Sequence, residues 1–174
     1  GKANIKKNLE DLGLQLNDEE IKRVTQRIIE LGDKKEVVSQ EDLPYIISDV
    51  LDSESDEKKV IVENYVLTHS KGLKPSTTIE LIVNGESFEE HAQGDGQFDG
   101  FMNALRKLYK NRVKVTLPEL IDYAVRIPPG SHSDALCETI ITWKSNDREF
   151  ITRGLDSDQT VSAIKATEKM LNII

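Results

Sequence analysis

Long apolar runs and cysteines are scarce in this chain, and each scarcity excludes a class of protein. No apolar run approaches the roughly 20 residues that a membrane-spanning helix needs, so no membrane partner is predicted. The single cysteine, Cys137, excludes an internal disulfide framework and predicts a reducing, cytoplasmic location. The chain starts with Gly1 rather than methionine and has no signal-peptide core, which predicts a piece of a longer polypeptide.

The chain also has fewer positive than negative residues, and its sequence shows no cluster of residues typical of an enzyme. The net charge is −8, and an acidic chain repels phosphate backbones, so we predict no nucleic-acid partner. His69, His91 and His132 form neither an HxH nor an HExxH arrangement, so no metal site is predicted. Cys137 has no evident histidine partner and is interpreted as a small buried residue. We therefore predict no catalytic residue and no cofactor in this chain.

The first fifty residues have the pattern of helices. A short helix is predicted over Asn4 to Leu12, and Asn17 and Glu20 form a capping box that opens a second one. Ser39 is expected to cap a third helix. The apolar residues of the second and third helices recur at helical spacing: Ile21, Val24, Ile28, Leu31, Leu43, Ile46, Ile47 and Val50.

An acidic break, Asp52 to Lys58, separates this helical part from a region with strand periodicity. The change of period predicts a helical subdomain at residues 1–57 and a second domain at residues 58–174. The alternative interpretation of the break is an ordinary charged surface loop.

The second domain has the pattern of two similar units. Strands are predicted over Val60–Thr68, Thr77–Val83 and Ser87–Gln93, with Asn84-Gly85 as a type I′ turn, followed by a helix. The second unit has predicted strands over Leu120–Ile127, Ala135–Trp143 and Glu149–Arg153, a turn at Ser145-Asn146-Asp147, and a final helix lined by Val161, Ile164 and Leu171.

This repetition predicts an internal duplication of a βββα unit, in which Thr152-Arg153-Gly154 corresponds to Ala92-Gln93-Gly94. The fold class is therefore α+β, with a helical subdomain before the two units. Each helix has one apolar stripe that a sheet must cover. Since the sheets are small, a second copy of the chain could cover the remaining surface, so a homodimer is predicted.

Two glycine-containing loops precede the helices of these units. The first is Gly94-Asp95-Gly96, and the second runs from Gly154 to Gln159 with Ser157 or Asp158 as the cap. The free N–H groups at a helix N-terminus can bind a carboxylate or a phosphate. The alternative interpretation is a plain turn that uses the conformational freedom of glycine.

An aliphatic strand lies between these loops in sequence. Strand parity places Tyr123, Val125 and Ile127 on one face, which is either core or the apolar wall of a pocket. A branched-chain amino acid would suit such a pocket. Its carboxylate would lie on helix amides, its ammonium on Asp99, and its side chain on the strand.

The motifs in this order resemble one family. Gly94-Asp95-Gly96-x-x-Asp99 opens a helix, LPELIDYAVRIPPG spans residues 117–130, and the N-terminal segments KKNLEDLGLQLNDEE and SQEDLPYIISDVL precede them. Further matches lie at Asp134-Ala135, at Glu138-Thr139 and over residues 158–172. Together they resemble the C-terminal linker and regulatory domain of the α-isopropylmalate and citramalate synthases. The segments IDYAVRIPPG and ATEKMLN are most similar to those of the citramalate type.

The resemblance implies that catalysis belongs to a TIM barrel outside this chain, which would use a divalent metal and acetyl-CoA. For the chain itself it implies dimerisation and feedback inhibition by isoleucine or leucine, without distinguishing the two. By position, it implies an apolar wall of Leu120, Tyr123, Ile127 and Cys137. The other implied effector-binding residues are Phe98, Asp99, Ser133, Ala135, Ser157 and Gln159.

Two other functions remain open from the residues alone. The chain could be a purely structural dimerisation module, in which the glycine loops are only turns. It could be an autonomous enzyme, but this would require a nucleophile–base pair or a metal cluster that the sequence does not supply.

Overall fold

The computed structural model describes residues 6–7, 16–33, 43, 46, 47, 50, 58–127 and 136–174. Helix α1 runs over Asp18–Asp33. Its capping box is confirmed: the Asn17 amide donates to Glu20 Oε1 at 3.1 Å, and the Glu20 amide donates to Asn17 Oδ1 at 2.8 Å. Of the two other predicted N-terminal helices, only Lys6, Lys7 and four apolar residues are described, and all of them are helical: Leu43, Ile46, Ile47 and Val50.

The first βββα unit is confirmed. Strands β1 (Val60–Thr68), β2 (Ser76–Val83) and β3 (Glu86–Gln93) form an antiparallel sheet in that order. Asn84 and Gly85 have φ of 50° and 82°, the positive values that a type I′ turn requires. Helix α2 (Gln97–Leu108) follows and continues into one π-helical turn, Tyr109–Val113.

The second unit repeats the plan with boundaries shifted from the prediction. Strands β4 (Glu119–Arg126), β5 (Cys137–Ser145) and β6 (Arg148–Asp156) form the second antiparallel sheet, and helix α3 spans Gln159–Ile173. The predicted start of β5 at Ala135 lies outside the described residues, and β5 extends two residues beyond Trp143. Strand β6 extends to Asp156, so Gly154 lies inside a strand rather than in a loop.

The two βββα units also have equivalent pairing registers between their strands. Each first strand has an irregularity, between Val62 and Asn64 in β1 and between Leu120 and Asp122 in β4. Tyr65 pairs with Ile79 in the first sheet as Tyr123 pairs with Ile141 in the second. The two tyrosines therefore occupy equivalent places.

The predicted alignment of the two glycines is wrong by two residues. Thr77 pairs with Ala92, and the equivalent Thr139 pairs with Gly154, so Gly154 corresponds to Ala92. Gly94 corresponds instead to Asp156, because both lie two residues before the N-cap of the next helix. The sequence similarity of TRG and AQG misled the alignment, since the pairing register and not residue identity decides equivalence.

The two units share one hydrophobic core. Each helix packs mainly on the second and third strands of its own sheet, and α3 also contacts β1. The side chains that join the units come from both sheets and both helices: Ile79, Leu81, Phe101, Leu105, Leu108, Ile141, Trp143, Ile164, Met170 and Leu171. Trp143 is fully buried, and its indole N–H donates to Thr152 Oγ1 at 2.8 Å.

A second cluster attaches the N-terminal helices to the second unit. Val24 and Leu31 of α1 pack with the described residues of the predicted third helix and with Leu136 and Leu155. Leu155 precedes Asp156 at the end of β6, so the helical part contacts the strand end that leads into α3.

None of the helices in the described part of the chain combines the length and the hydrophobicity that crossing a bilayer demands.

Two equivalent buried threonines differ in their hydrogen bonding. Thr139 Oγ1 lies 2.5 Å from the Ser162 hydroxyl on α3. In the first unit the residue equivalent to Ser162 is Gly100, and Thr77 Oγ1 has no partner among the described residues. A buried hydroxyl without a partner costs about 1–3 kcal/mol.

We predict that Thr→Val has opposite effects at these two positions. Thr77→Val should raise the free energy of unfolding by about 1 kcal/mol, because it removes an unpaired buried hydroxyl. Thr139→Val should lower it by about 1 kcal/mol, because it removes a hydrogen bond. Urea denaturation of both variants measures the difference, and an equal change in both would contradict the assignment.

Helix α3 approaches the second sheet at Gly154. A methyl group there would overlap the Ser162 carbonyl oxygen and lie 2.7 Å from the Ala166 amide nitrogen. Both neighbours are backbone atoms, so the helix as a whole would have to move.

We predict that Gly154→Ala lowers the free energy of unfolding by about 3 kcal/mol, the upper end of the usual cost of overpacking. Gly32→Ala is the matched control, since no atom of another described element lies within 4 Å of a methyl group at that helical position. It should be neutral or stabilise by up to about 1 kcal/mol. Thermal denaturation compares the two, and a Gly154→Ala variant as stable as the control would refute the close approach.

Candidate functional site

The two predicted helix starts lie next to each other. The Thr160 hydroxyl on α3 donates to Gln97 Oε1 on α2 at 3.4 Å. Phe98, one residue further into α2, lies against Tyr123 of β4, with ring centroids 5.6 Å apart. The chain therefore brings both helix starts and the tyrosine-bearing strand together.

Helix α2 starts without a side-chain cap. Its N-cap is Gly96, and no side chain among the described residues accepts from the first-turn amides at this cap. Gly94 is buried, and its amide donates to the Pro75 carbonyl at 3.0 Å. Asp99 Oδ2 accepts from the Asp95 amide at 2.8 Å and keeps its carboxylate exposed. This end of α2 offers backbone donors next to one carboxylate.

Apolar side chains cover one side of this helix start. Phe98 stacks on Phe101 with centroids 6.2 Å apart, and Leu120 and Tyr123 pack against the same core. Val125 pairs with Thr139, whose side chain faces α3, so Val125 lies on the helix-facing side of β4. It is nevertheless 37% exposed, and Ile127 is 47% exposed. The far end of the predicted wall is therefore uncovered in the single chain.

Helix α3 starts in a different way, with carboxylates in place. Asp158 is its N-cap and accepts from the Val161 amide at 3.0 Å. Asp156 is 1% exposed and accepts from the Asp158 amide at 2.9 Å. Its other partners are the Lys165 ammonium at 3.4 Å and the Arg27 guanidinium of α1.

Burial by itself would raise the pKa of Asp156. The Asp158 amide, Lys165 and Arg27 outweigh it, so the pKa lies below the ordinary value of 3.8. Burial raises the pKa of Tyr65, and the carboxylates of Asp156 and Asp158 raise it further. The Tyr65 ring packs edge-on against Phe101 of α2, with centroids 6.4 Å apart, and its strand β1 also contacts α3.

Cys137 also lies at the start of α3. Its thiol donates to the Asp156 carbonyl at 3.3 Å and lies 3.6 Å from the Ser162 hydroxyl. Burial raises its pKa, the Ser162 hydrogen bond opposes this, and Asp156 and Asp158 raise it further. A thiol whose pKa is raised is not an activated nucleophile, which agrees with its assignment as a small packing residue.

The remaining predicted residues divide into three groups. Ser157 is half-buried between the two aspartates, and Gln159 is an exposed first residue of α3. Ile127 lies at the exposed end of β4. Ser133 and Ala135 lie outside the described residues.

No group of three or more histidine, cysteine, aspartate or glutamate side chains in the described part of the chain could hold a metal ion.

The comparison with known families decides the assignment. The model of the LeuA allosteric (dimerisation) domain matches residues 37–174. The chain belongs to the LeuA allosteric domain family. The predicted resemblance is thereby confirmed, and the match covers both βββα units and begins before them, at residue 37.

Relatives of this LeuA-domain chain are named as synthases of both types. A protein from Archaeoglobus fulgidus named as an (R)-citramalate synthase is 28% identical over 174 residues. The 2-isopropylmalate synthase of Aquifex aeolicus is 28% identical over 173 residues, and that of Syntrophus aciditrophicus 30% over 172 residues. The chain is covered to 99–100% in these matches but spans only 32–35% of the relatives' length.

Sequence reasoning missed three residues of this region. Asp156 appeared only as part of a loop, and neither Arg27 nor Tyr65 was assigned a place near a helix start. The equivalence of Tyr65 and Tyr123 was available from the internal repeat, once the strand irregularities had been aligned. The contact between Arg27 and Asp156 could not be found from the sequence, because 129 positions separate the two residues.

We predict that Asp156→Asn lowers the free energy of unfolding at pH 7 by about 2 kcal/mol, the worth of a hydrogen bond to a charged group. The lowered pKa means that the carboxylate stabilises the fold above its unfolded pKa, and that this contribution is lost as the pH falls through the folded pKa. The difference between wild type and variant should therefore persist at pH 5 and shrink at pH 3. Urea titrations at the three pH values measure it, and a constant difference would contradict this sign.

Proposed function

We propose that this chain is the regulatory segment of a citramalate or 2-isopropylmalate synthase and binds isoleucine or leucine as a feedback inhibitor. The uncapped start of α2 beside the Phe98–Tyr123 pair carries the proposal. Free backbone donors at a helix N-terminus favour an anion, and an amino acid brings its carboxylate there.

The other two parts of the ligand also find partners at this place. Asp99 is an exposed carboxylate in the first turn of α2 and can accept the ammonium group. Leu120, Tyr123 and Phe98 provide the apolar contact for a branched side chain. A site with apolar walls and a few aimed polar groups is typical of small-molecule binding.

Dimerisation belongs to the same proposal. Val125 and Ile127 are exposed apolar side chains that continue the strand face on which Tyr123 lies. A second copy of the chain packed on this end of β4 would cover them and close the ligand site. Ile127 would complete the apolar wall that the resemblance implies, and Ser133 and Ala135, which lie outside the described residues, would belong to the polar end of the ligand site.

The effector would act on a catalytic barrel in the same polypeptide. The relatives are named as synthases and are about three times as long as this chain, which agrees with a regulatory part attached to a catalytic part. We expect the barrel to use the divalent metal and acetyl-CoA, the linker at residues 1–57 to connect it to the regulatory units, and the protein to be cytoplasmic.

We predict that calorimetric titration with isoleucine and with leucine gives binding heat for at least one of them. Asp99→Asn should weaken that binding by about tenfold or more, because a charge-assisted hydrogen bond worth about 1.5–3 kcal/mol is lost. The asparagine can still accept from the Asp95 amide, so the loop should keep its shape.

Asp95→Asn is the matched control, since it removes the same charge from the same loop, where the carboxylate lies 3.7 Å from Lys74 and is largely exposed. Its affinity should stay within about twofold of wild type, as expected of an exposed ion pair. Absence of heat with both amino acids on a folded dimer would refute effector binding and favour a purely structural dimerisation module.

A further inference from the structure

The buried carboxylate of Asp156 ties three segments of the chain together. It ends β6, accepts from the Asp158 amide at the start of α3, and pairs with Lys165 in the second turn of α3. Its third partner, Arg27, belongs to α1, and the Arg27 side chain is only 16% exposed. A carboxylate this deeply buried is stable as an ion only while these partners stay in place.

The position of Asp156 in the duplication indicates that its ion pair with Arg27 has a role beyond packing. Its equivalent in the first unit is Gly94, at the helix start that lacks a side-chain cap. One helix start is therefore open to an external carboxylate, whereas the other already holds a carboxylate of the protein. The two starts are in direct contact through Thr160 and Gln97.

The helical linker contacts this second start at two further places. Leu155 precedes Asp156 and packs with Val24 and Leu31 of α1. Leu136, which precedes Cys137 of the proposed ligand wall, belongs to the same cluster. A movement of the start of α3 would therefore act on α1 through one ion pair and one apolar cluster.

We propose that Arg27 and Asp156 are positioning residues that transmit effector binding at the paired helix starts to the helical linker. This inference rests on the proposed function of the site. The effector would change the packing of Gln97 against Thr160, the start of α3 would carry Asp156 with it, and Arg27 would pass the displacement to α1. Coupling of this kind requires an element that contacts both sites, and Asp156 does so.

A matched ion pair provides the control. Lys58 donates to Glu168 of α3 at 2.7 Å, and its side chain is 26% exposed. Lys58 and Arg27 line the same cleft of about 470 Å³ between α1 and α3. Lys58→Met and Arg27→Met thus remove the same charge from one cleft, but only the second breaks the contact with Asp156.

The test is hydrogen–deuterium exchange of the backbone amides of α1, with and without whichever of isoleucine and leucine binds. In wild type, the amino acid should slow exchange in Asp18–Asp33 by about fivefold or more relative to its effect on β2, the lower end of allosteric coupling. Arg27→Met should abolish this response, and the affinity should change by no more than about fivefold, the size of the coupling itself, because coupling between two sites is reciprocal. Lys58→Met should keep the wild-type response.

Arg27→Lys keeps the positive charge and should retain part of the response, which separates a role in transmission from a loss of folding. If the amino acid binds wild type but leaves exchange in α1 unchanged, the inference is overturned and the proposed function stands. An unchanged response in Arg27→Met overturns it as well. If neither amino acid binds wild type, the proposed function fails and this inference fails with it.

Discussion

Each sheet of this domain has three strands, and one helix is too narrow to cover all of them. Helix α2 packs on β2 and β3, and α3 packs on β5 and β6. The first strand of each unit therefore contacts the helix of the other unit, with Tyr123 on Phe98 of α2 and β1 on α3. Because each first strand packs against the helix of the other unit, the two helix starts lie side by side. The candidate site depends on this arrangement.

The duplication has produced two helix starts with different electrostatics. In the first unit, glycines occupy the positions before α2 and leave backbone donors without a side-chain acceptor at the cap. In the second unit, Asp156 and Asp158 occupy the equivalent positions, and Arg27 and Lys165 balance the buried charge. A similar divergence separates the Thr139–Ser162 pair from Thr77 and Gly100. The repeat thus supplies one start with free backbone donors and one with carboxylates already in place.

Much of the backbone plan could be predicted from local patterns. Alternating apolar residues and the Asn84-Gly85 turn indicated the first sheet, and the Asn17–Glu20 capping box indicated the start of α1. The alignment of Gly154 with Gly94 failed, because a shared glycine carries less information than the pairing register of the strands. The burial of Asp156 could not be predicted either, since its partners come from α1 and from the second turn of α3.

The sequence alone determined the βββα repeat, the helical N-terminal part and the family, because periodicity, turn residues and ordered motifs are local properties of the chain. The tertiary structure decided which residues meet at the helix starts. Phe98 and Tyr123 lie 25 positions apart, and Arg27 and Asp156 lie 129 positions apart. Such pairs are created only when the two units pack against each other and the helical part packs on the second, because burial of apolar surface selects these contacts without any local signal.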